Sequence, residues 1–295
     1  MTLAPEFSKP LPLEQTEELD RLADRFRYIL VALICKVKWG HLGGTMSLVE
    51  IIIMLYFRIM RVNPKNPRWP DRDRLVLSKG HAGPVVYVAL AAKGYFAERD
   101  LLQLNANGSF LPSHCDMRRT PGIDMTAGSL GQGISCACGM ALWGKRFDKK
   151  HRVFCIIGDG ESNEGEVWEA ALFAGHQHLD NLIVICDYNH LQIDGYTDDI
   201  CTLEPFAEKW KAFGWEALET DGHDWNSLHG TFQKAMSVTG KPVMIIAHTI
   251  KARGHRDFEN KASSHSVRIS TDGEKMLFLQ GVKPVYVEWL KEAGL

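Results

Sequence analysis

Two short apolar runs, each ending in a side-chain oxygen, constrain the fold of this chain more than any other feature. They occupy residues 153–160 and 182–189, and their oxygens belong to Asp159 and Asn189. Both runs are rich in β-forming residues and are bounded by polar residues or glycine, a pattern typical of buried parallel strands. A helical pattern over residues 165–175 separates them. The sequence therefore predicts a strand–helix–strand unit with both oxygens at the edge of the sheet where α/β proteins bind ligands.

Asp159 and Asn189 are candidate ligands of a metal ion. Carboxylate and amide oxygens from separate loops suit Mg²⁺, which takes few ligands from protein and the rest from phosphate and water. Gly158 and Gly160 flank the carboxylate and let a bulky anion approach the backbone. A tight turn in which Asp159 caps the next helix would explain a lone Gly-Asp-Gly equally well. The second strand, ending in asparagine, favours a site for a metal ion and a diphosphate.

Composition excludes several classes of protein. The 295 residues can form one large α/β domain, and the net charge of −2 gives no reason to expect a nucleic acid or a membrane surface as partner. The seven cysteines include no Cys-x-x-Cys pair. Those in apolar runs, at positions 136, 138, 155 and 186, are predicted to be buried, reduced thiols of a cytoplasmic protein. The start of the chain lacks the pattern of a signal peptide, and the apolar run 48–57 is too short to span a bilayer.

Strand and helix patterns alternate along the chain, which predicts an α/β fold with a parallel sheet flanked by helices on both faces. We expect an extended arm at 1–12, one domain over 13–267 and a helical tail over 268–295. Predicted helices are 13–39, 47–60, 79–93, 134–147, 165–175, 205–213 and 225–238; predicted strands are 74–78, 153–160, 182–189, 215–219 and 243–249. Residues 104–127 have little periodic signal and predict a binding loop, and Thr271 with Glu274 predicts a capping box.

A glycine-rich turn at residues 128–133 precedes one of these helices. Its three glycines allow backbone N–H groups to turn toward an anion, and the start of the helix adds its positive end. Such a turn is often only a packing device, so its meaning depends on the rest of the chain.

Histidines at positions 41, 81, 114 and 265 lie in predicted loops, each beside glycine, serine or an irregular segment. A single loop histidine is most often an ordinary surface residue. Four in such settings predict a cluster, because imidazole can donate and accept protons near neutral pH, as sugar chemistry requires.

Two segments resemble the sequences of transketolases: GDGESNEGEVWEAA and, following it, LDNLIVICDYNHLQIDG. The segments LSKGH and GSLGQG are similar to motifs of the same family. The similarity runs from about residue 22 to residue 265 and corresponds to the amino-terminal half of a full-length transketolase. The resemblance implies the thiamine diphosphate-binding fold, with thiamine diphosphate and Mg²⁺ as cofactors and Ca²⁺ or Mn²⁺ as substitutes for Mg²⁺.

The resemblance also implies roles for individual residues. His81, His114 and His265 would hydrogen-bond the oxygens of the donor sugar, and His41 would contact the hydroxyl at the cleavage side. The metal ligands would be Asp159, Asn189 and the backbone carbonyl of Leu191. The cofactor contacts would be His81, Gly128, Leu130, Gly158, Asp159, Gly160, Asn189 and His265. Glu164 and Glu169 would lie at the subunit interface, although both could equally serve only to favour a helix N-terminus.

The implied activity is transfer of a two-carbon ketol unit from a ketose donor, expected to be a phosphate, to an aldose acceptor in the pentose phosphate pathway. The resemblance implies that this chain is the amino-terminal subunit of a two-chain transketolase. Its partner would be a separate carboxyl-terminal subunit with the pyrimidine-binding half, in a cytoplasmic α2β2 heterotetramer. The partner would supply the glutamate that activates the cofactor.

Several alternatives stay open at this point. A specialised transketolase for a branched or sulfonated sugar has the same motifs. A 2-oxoacid dehydrogenase α subunit or a deoxyxylulose-phosphate synthase is a thiamine enzyme too, although LSKGH and GSLGQG favour transketolase. A haloacid-dehalogenase-like phosphatase has a motif similar to residues 158–160, but the early Asp71-Arg72-Asp73 precedes its strand instead of following it. An inactive scaffold would have no need to retain the histidines and Asp159.

Overall fold

The computed structural model describes residues 10–295, so residues 1–9 of the predicted arm lie outside the described part. The α-helices α1 to α11 are Leu13–Val37, Gly43–Met46, Val49–Met54, Gly83–Ala92, Gln132–Arg146, Gly165–His176, Thr197–Cys201, Phe206–Ala212, Trp225–Ser237, Asp272–Leu279 and Glu288–Glu292. The strands β1 to β7 are Trp39–Gly40, Arg74–Leu77, Val153–Gly158, Leu182–Tyr188, Glu216–Asp221, Val243–His248 and Val267–Arg268.

Five strands form the central sheet in the order β2-β3-β4-β6-β5, and all of its pairs are parallel. The predicted α/β fold is therefore confirmed. On β3 and β4 the register places Gly158 opposite Asp187. Because the two strands end side by side, the residues that follow them, Asp159 and Asn189, come to the same edge of the sheet, as the sequence predicts.

The side chains of the central strands alternate between two hydrophobic cores. Phe154 and Ile156 of β3 face one core, and Cys155 and Ile157 face the other. Every residue of β3 and β4 is buried. Full burial of one large aliphatic side chain contributes about 1.5–3 kcal/mol, so these short strands are held by the helices on both faces.

Helices cover the two faces as the alternating pattern predicts. The first core contains buried residues of α1, α3, α4 and α9, and the second contains those of α5, α6 and α8. Trp210 of α8 and the equally large Trp215 are both buried in the second core. In the described part of the chain, no helix has the length and apolarity needed to cross a membrane.

The region after α1 differs from its prediction. Between α1 and the predicted helix, the chain is already helical from Gly43, and the predicted helix 47–60 is divided into α3 and a π-helical turn, Leu55–Ile59. Gly43 and Gly44 are buried at the base of the candidate site described below. A methyl group on Gly43 would lie 2.9 Å from the side chain of Lys251, which explains why glycine occupies this first turn.

The cysteines are free thiols, and Cys138, Cys155 and Cys186 are buried as predicted. The prediction is wrong for Cys136, which is partly exposed. It lies on α5 two residues before Cys138, and neighbouring residues of a helix point in different directions.

A small antiparallel ribbon and a short tail complete the fold. In the ribbon, Gly40 of β1 pairs with Val267 of β7. The predicted capping box is confirmed at the start of α10, where Thr271 Oγ1 accepts a hydrogen bond from the Glu274 N–H at 3.2 Å. Phe278 of α10 is buried in the first core.

Candidate active site

A cavity of about 140 Å³ opens at the carboxyl ends of the central strands. Its lining comes from six regions: the start of α2, the turn after β2, the glycine-rich turn before α5, the turn after β3, the turn after β4, and the loop after β6. The lining residues are Gly44, Lys79, His81, Leu130, Gly158, Asp159, Gly160, Glu161, Asn189, Leu191, Gln192, Ile193, Asp194, Lys251 and His265. The cavity therefore joins predicted cofactor-binding residues that are far apart in sequence.

Asp159 and Asn189 both reach this cavity and are both buried. The Asp159 carboxylate accepts hydrogen bonds from the Gly160 N–H at 2.7 Å and the His190 N–H at 2.5 Å. The Asn189 side-chain oxygen accepts one from the Leu191 N–H at 3.1 Å. Burial and the nearby Asp187 carboxylate raise the pKa of Asp159 to about 6. A cation at this position would therefore relieve the electrostatic cost of the buried carboxylate.

A second buried carboxylate, Asp187, is the penultimate residue of β4 and is fully paired. It accepts hydrogen bonds from Lys79 Nζ, from Thr249 Oγ1 and from Ser47 Oγ, the last at 2.5 Å. Burial opposes its charge, but Lys79 and the three hydrogen bonds outweigh burial and lower the pKa of Asp187. This pair fixes the Lys79 ammonium beside the cavity.

Lys251 contributes a second buried ammonium group. Its Nζ donates to the carbonyl oxygens of Leu191 at 2.9 Å and Gln192 at 3.0 Å, and the residue is 2% exposed. Burial, and then the charge of Lys79, lower the pKa of Lys251 to about 8. Within residues 10–295 its ammonium forms no salt bridge with a carboxylate. A buried cation with only carbonyl partners favours an anionic ligand in the cavity.

These residues fit the predicted cofactor and its metal ion. In the described residues, no group of three or more His, Cys, Asp or Glu side chains is arranged around a metal position. The candidate set of one carboxylate, one amide and one carbonyl suits Mg²⁺, which completes its ligands from phosphate and water. Glycine at position 44 fits too, since a methyl group there would lie only 2.9 Å from Lys79 Nζ and 3.2 Å from His81 Nε2 and would crowd both side chains.

Glu161 joins the glycine-rich turn to the end of β3. Its buried carboxylate accepts hydrogen bonds from the Gly131 N–H at 2.9 Å, from the Gly158 N–H at 3.0 Å and from Ser78 Oγ. Gly131 has φ of +84°, a conformation that glycine adopts readily. Glu161 therefore holds the turn in the place where Leu130, 37% exposed, lines the cavity.

The four candidate histidines converge beside the cavity, with His41 at their centre. The ring centroid of His41 lies 5.3 Å from that of His81, 5.8 Å from that of His114 and 5.4 Å from that of His265. His81 and His265 are 5.2 Å apart. All four are partly buried. The structure therefore brings together the cluster that the sequence predicts.

The histidine cluster is held neutral. Burial, followed by the charge on His114, lowers the pKa of His41 to about 4, and burial and Lys251 lower that of His265 to about 4. Burial and Lys79 lower the pKa of His81 well below its ordinary range. At neutral pH each ring has one N–H donor and one acceptor nitrogen, which suits recognition of sugar hydroxyls.

The remaining predicted site residues, Gly128, Glu164 and Glu169, are exposed to solvent and so are accessible to a ligand or a partner chain. Gly128 is exposed, and the chain before it packs so closely that a methyl group on Gly80 would meet the Ala127 oxygen at 2.7 Å. Glu164 and Glu169 are exposed at the start and on the surface of α6. Their predicted role at a subunit interface stays a prediction.

Sequence reasoning missed four site residues: Lys79, Glu161, Asp187 and Lys251. Three of them stand inside quoted motifs, Lys79 beside His81, Glu161 in GDGE and Asp187 two residues before Asn189. These three could have been found in the sequence, because each is a charged residue at or just after the end of an apolar strand. Lys251 had no such signal, because its loop has no periodic pattern.

A comparison with protein families matches residues 19–280 to the thiamine diphosphate-binding domain of transketolase. The chain is 50% identical over 259 residues to the 6-deoxy-6-sulfo-D-fructose transketolase subunit SqwG of Clostridium sp. (strain MSTE9), covering 88% of this chain and 94% of that protein. It is 38% identical to an apulose-4-phosphate transketolase subunit of Phocaeicola vulgatus, covering 85% of this chain and 89% of that protein.

Longer relatives match over part of their length only. Human transketolase is 40% identical over 85% of this chain, which spans 40% of the human protein. Among solved structures, transketolase from Campylobacter jejuni superimposes with a TM-score of 0.82 and 30% identity, covering 94% of this chain and 48% of that one. A transketolase from Pichia stipitis in complex with sedoheptulose 7-phosphate has a TM-score of 0.82 and 29% identity, covering 93% and 43%.

These matches exclude the phosphatase alternative, and they agree with the cavity, its buried cations and the neutral histidines. The chain belongs to the transketolase family of transferases and contains that family's thiamine diphosphate-binding domain.

Proposed function

We propose that this chain is one subunit of a two-chain, Mg²⁺-dependent transketolase that moves a two-carbon ketol unit from a ketose to an aldose. The observation that supports it most strongly is the histidine cluster, with ring centroids 5.2–5.8 Å apart, beside a cavity with two buried ammonium groups. Thiamine diphosphate, when bound, supplies the nucleophilic carbon and the electron sink for the transfer. Asp159, Asn189 and the Leu191 carbonyl would hold Mg²⁺, and Lys79 and Lys251 would balance the diphosphate charge.

The histidines would orient the sugar and exchange protons with its oxygens. His81 and His265 line the cavity itself, so they would face the carbonyl end of the ketose. His41, packed between them and His114, would contact the hydroxyl at the bond that is cleaved. Their low pKa values would keep them neutral, so that each can donate one hydrogen bond and accept another.

The proposed partner is a second polypeptide that carries the pyrimidine-binding half. Activation of thiamine diphosphate requires a free carboxylic acid against its pyrimidine. Glu161 lines the cavity, but its oxygens are occupied by Gly131, Gly158 and Ser78. A carboxyl group from a partner would supply the missing acid, and Glu164 and Glu169 on α6 would lie at the contact. An assembly of two copies of each chain would place two such sites across one interface.

For the donor sugar, we propose 6-deoxy-6-sulfofructose ahead of a phosphorylated ketose. The support is the 50% identity over nearly the whole of SqwG, compared with 38% for the apulose-4-phosphate relative and 40% for human transketolase. A phosphorylated ketose such as fructose 6-phosphate is the second candidate, since one of these relatives is named for apulose 4-phosphate and a Pichia stipitis transketolase of similar structure was solved with fructose 6-phosphate.

Purification of the tagged chain from its native source, followed by turnover assays, tests this proposal. We expect a partner of similar size to co-purify and light scattering to give a mass of about four chains. The complex should use the sulfonated ketose with a higher kcat/KM than fructose 6-phosphate, while the chain alone should use neither. Turnover by the isolated chain with thiamine diphosphate and Mg²⁺ would refute the two-chain assignment; preference for the phosphorylated sugar would refute the donor assignment only.

A further inference from the structure

A cationic pocket lies at the outer edge of the sheet, beside the start of β2. Its volume is about 610 Å³, well within the range of small-molecule sites. Among its lining residues are five cationic side chains and one carboxylate: Lys65, Arg68, Arg72, Arg118, Arg119 and Asp124. Because the whole chain has a net charge of −2, this concentration of positive charge is local.

The floor of the pocket is a fixed ion pair. Arg72 pairs with Asp124, and their side chains are only 15% and 5% exposed. Asp124 also accepts a hydrogen bond from the Leu75 N–H at 2.9 Å, which ties this floor to the edge strand β2. Since Asp124 is already satisfied by these partners, it leaves the other cations uncompensated.

The rim carries cations that have no carboxylate partner. Lys65 and Arg68 come from the loop before β2, and Arg118 comes from the long segment before the glycine-rich turn; all three are exposed. Within residues 10–295, none of the three side chains takes part in a salt bridge. Arg119, on the same side as Arg118, pairs with Asp116 at 3.5 Å. Like charges from two separate segments thus face one concave surface, an arrangement that an anion would stabilise.

This pocket is separate from the cavity of the active site. Its residues precede β2 or flank its amino-terminal end, whereas the candidate cofactor site lies at the carboxyl ends of the strands. The two cavities share no lining residue. Segment 117–124 nevertheless lies between His114 and Gly128, so the two sites are connected by one stretch of chain.

We propose that this pocket binds a small molecule with two or more phosphate-type groups, as a site distinct from the thiamine diphosphate site. One anionic group would contact Arg68 and Lys65, and the other would contact Arg118, with Arg119 beside it in its pair with Asp116. Two anionic groups fit because the free cations come from two segments, and guanidinium groups bind phosphate oxygens in a bidentate manner. This inference stands independently of the proposed function, because it uses none of the active-site residues.

Calorimetric titration with inorganic pyrophosphate in metal-free buffer tests the proposal. We expect the wild-type chain to bind it in the cationic pocket, with an affinity that decreases as salt increases. The double variant R68Q/R118Q should bind at least about tenfold more weakly, because each lost charged hydrogen bond typically contributes a factor of about ten or more. The matched control R21Q/K36Q removes two exposed charges from α1 and should bind like the wild type.

A third variant, Lys251→Met, distinguishes the two cavities. If pyrophosphate binds in the cationic pocket, this variant should retain its affinity. Loss of binding in Lys251→Met with none in R68Q/R118Q would place the anion in the cofactor cavity and overturn the proposal, as would absence of binding to the wild type. Should R68Q/R118Q fold poorly by circular dichroism, the variant K65Q/R119Q provides the same comparison with the other two rim cations.

Discussion

The carbonyl oxygen of Leu191 accepts a hydrogen bond from the ammonium of Lys251 at 2.9 Å, deep in the candidate active site. The same carbonyl is a candidate ligand of Mg²⁺. Lys251 therefore lies where it can orient the loop that holds the metal ion and, at the same time, offset the charge of a diphosphate. A cavity prepared in this way discriminates against neutral ligands, because only an anion compensates its buried charge.

The first prediction concerns Lys251. We expect Lys251→Met to weaken binding of thiamine diphosphate with Mg²⁺ by about ten- to a hundredfold, since a charged hydrogen bond is lost. Stability should decrease by about 1–3 kcal/mol, because the carbonyl oxygens of Leu191 and Gln192 lose their donor. Calorimetry and urea unfolding give the two quantities. Exposed Lys261→Met serves as control and should leave the affinity unchanged; a similar loss there would discredit the assignment.

The second prediction concerns the metal ligands. Asp159→Ala and Asn189→Ala should each weaken Mg²⁺-dependent cofactor binding by at least about a hundredfold, because the ion loses a hard oxygen ligand and the diphosphate charge is left undercompensated. Titration of cofactor at fixed Mg²⁺ measures the effect. The exposed Asp198→Asn is the control. Wild-type affinity in both site variants would rule out these ligands.

The third prediction concerns the histidines. In the assembled enzyme, His81→Ala and His114→Ala should each lower kcat by about two to four orders of magnitude, far more than they weaken cofactor binding, because they would act on the oxygens of the reacting sugar. Steady-state kinetics with a ketose donor provide the test. His178→Asn, an exposed histidine with φ of +50° that asparagine also tolerates, should have normal kcat. Near-normal rates for the two site variants would contradict a catalytic role.

The fourth prediction concerns pH. In the folded protein the pKa values of His41 and His265 are about 4, below their ordinary 6.5. Between these values the unfolded chain binds more protons than the folded one, so stability is greatest above pH 6.5 and decreases as pH falls toward 4. Urea midpoints at pH 7, 6 and 5 should show this decrease. The double variant H41N/H265N should have a shallower slope, whereas an unchanged slope would mean that other groups dominate.

The fifth prediction concerns Glu161. Glu161→Ala would leave the Gly131 and Gly158 N–H groups without their acceptor, so we expect a loss of about 3 kcal/mol in the free energy of unfolding. Denaturant unfolding measures it. Glu164→Ala, three residues away and exposed, should change stability by less than about 0.5 kcal/mol. Equal effects of the two changes would show that Glu161 has no special part in holding the turn.

Much of the fold was predictable because the spacing of apolar residues indicates which segments form strands and which form helices. For β3 and β4, the length and the burial of each strand can be predicted from its run of apolar residues. The ends of the two runs are enough to predict that Asp159 and Asn189 lie at the same edge of the sheet. The division of the predicted helix 47–60 was not predictable. Apart from Glu50 and Arg58 the segment is almost entirely apolar, and such a pattern does not distinguish an α-helix from an α-helix followed by a π-helical turn.

The identity of many site residues was predictable from the sequence, but their arrangement in space was not. Each histidine was a candidate from its loop setting, yet only the topology of the sheet decides that His41 meets both His114 and His265. The buried lysines were missed for a physical reason. A lysine is ordinarily a surface residue, and only the surrounding structure reveals that Lys79 and Lys251 are held inside.

The ribbon of β1 and β7 has a consequence for how this enzyme could acquire new substrates. His41 follows Gly40 directly and His265 precedes Val267 by two residues, so backbone pairing between Gly40 and Val267 fixes the separation of the two imidazoles. The loop from Ala252 to Ser264 therefore does not have to set the distance between His41 and His265. Its sequence can change in composition, length or charge during divergence while His265 keeps its place, provided that the ribbon keeps its register, because a slip of one residue would turn every side chain of the slipped strand to the opposite face.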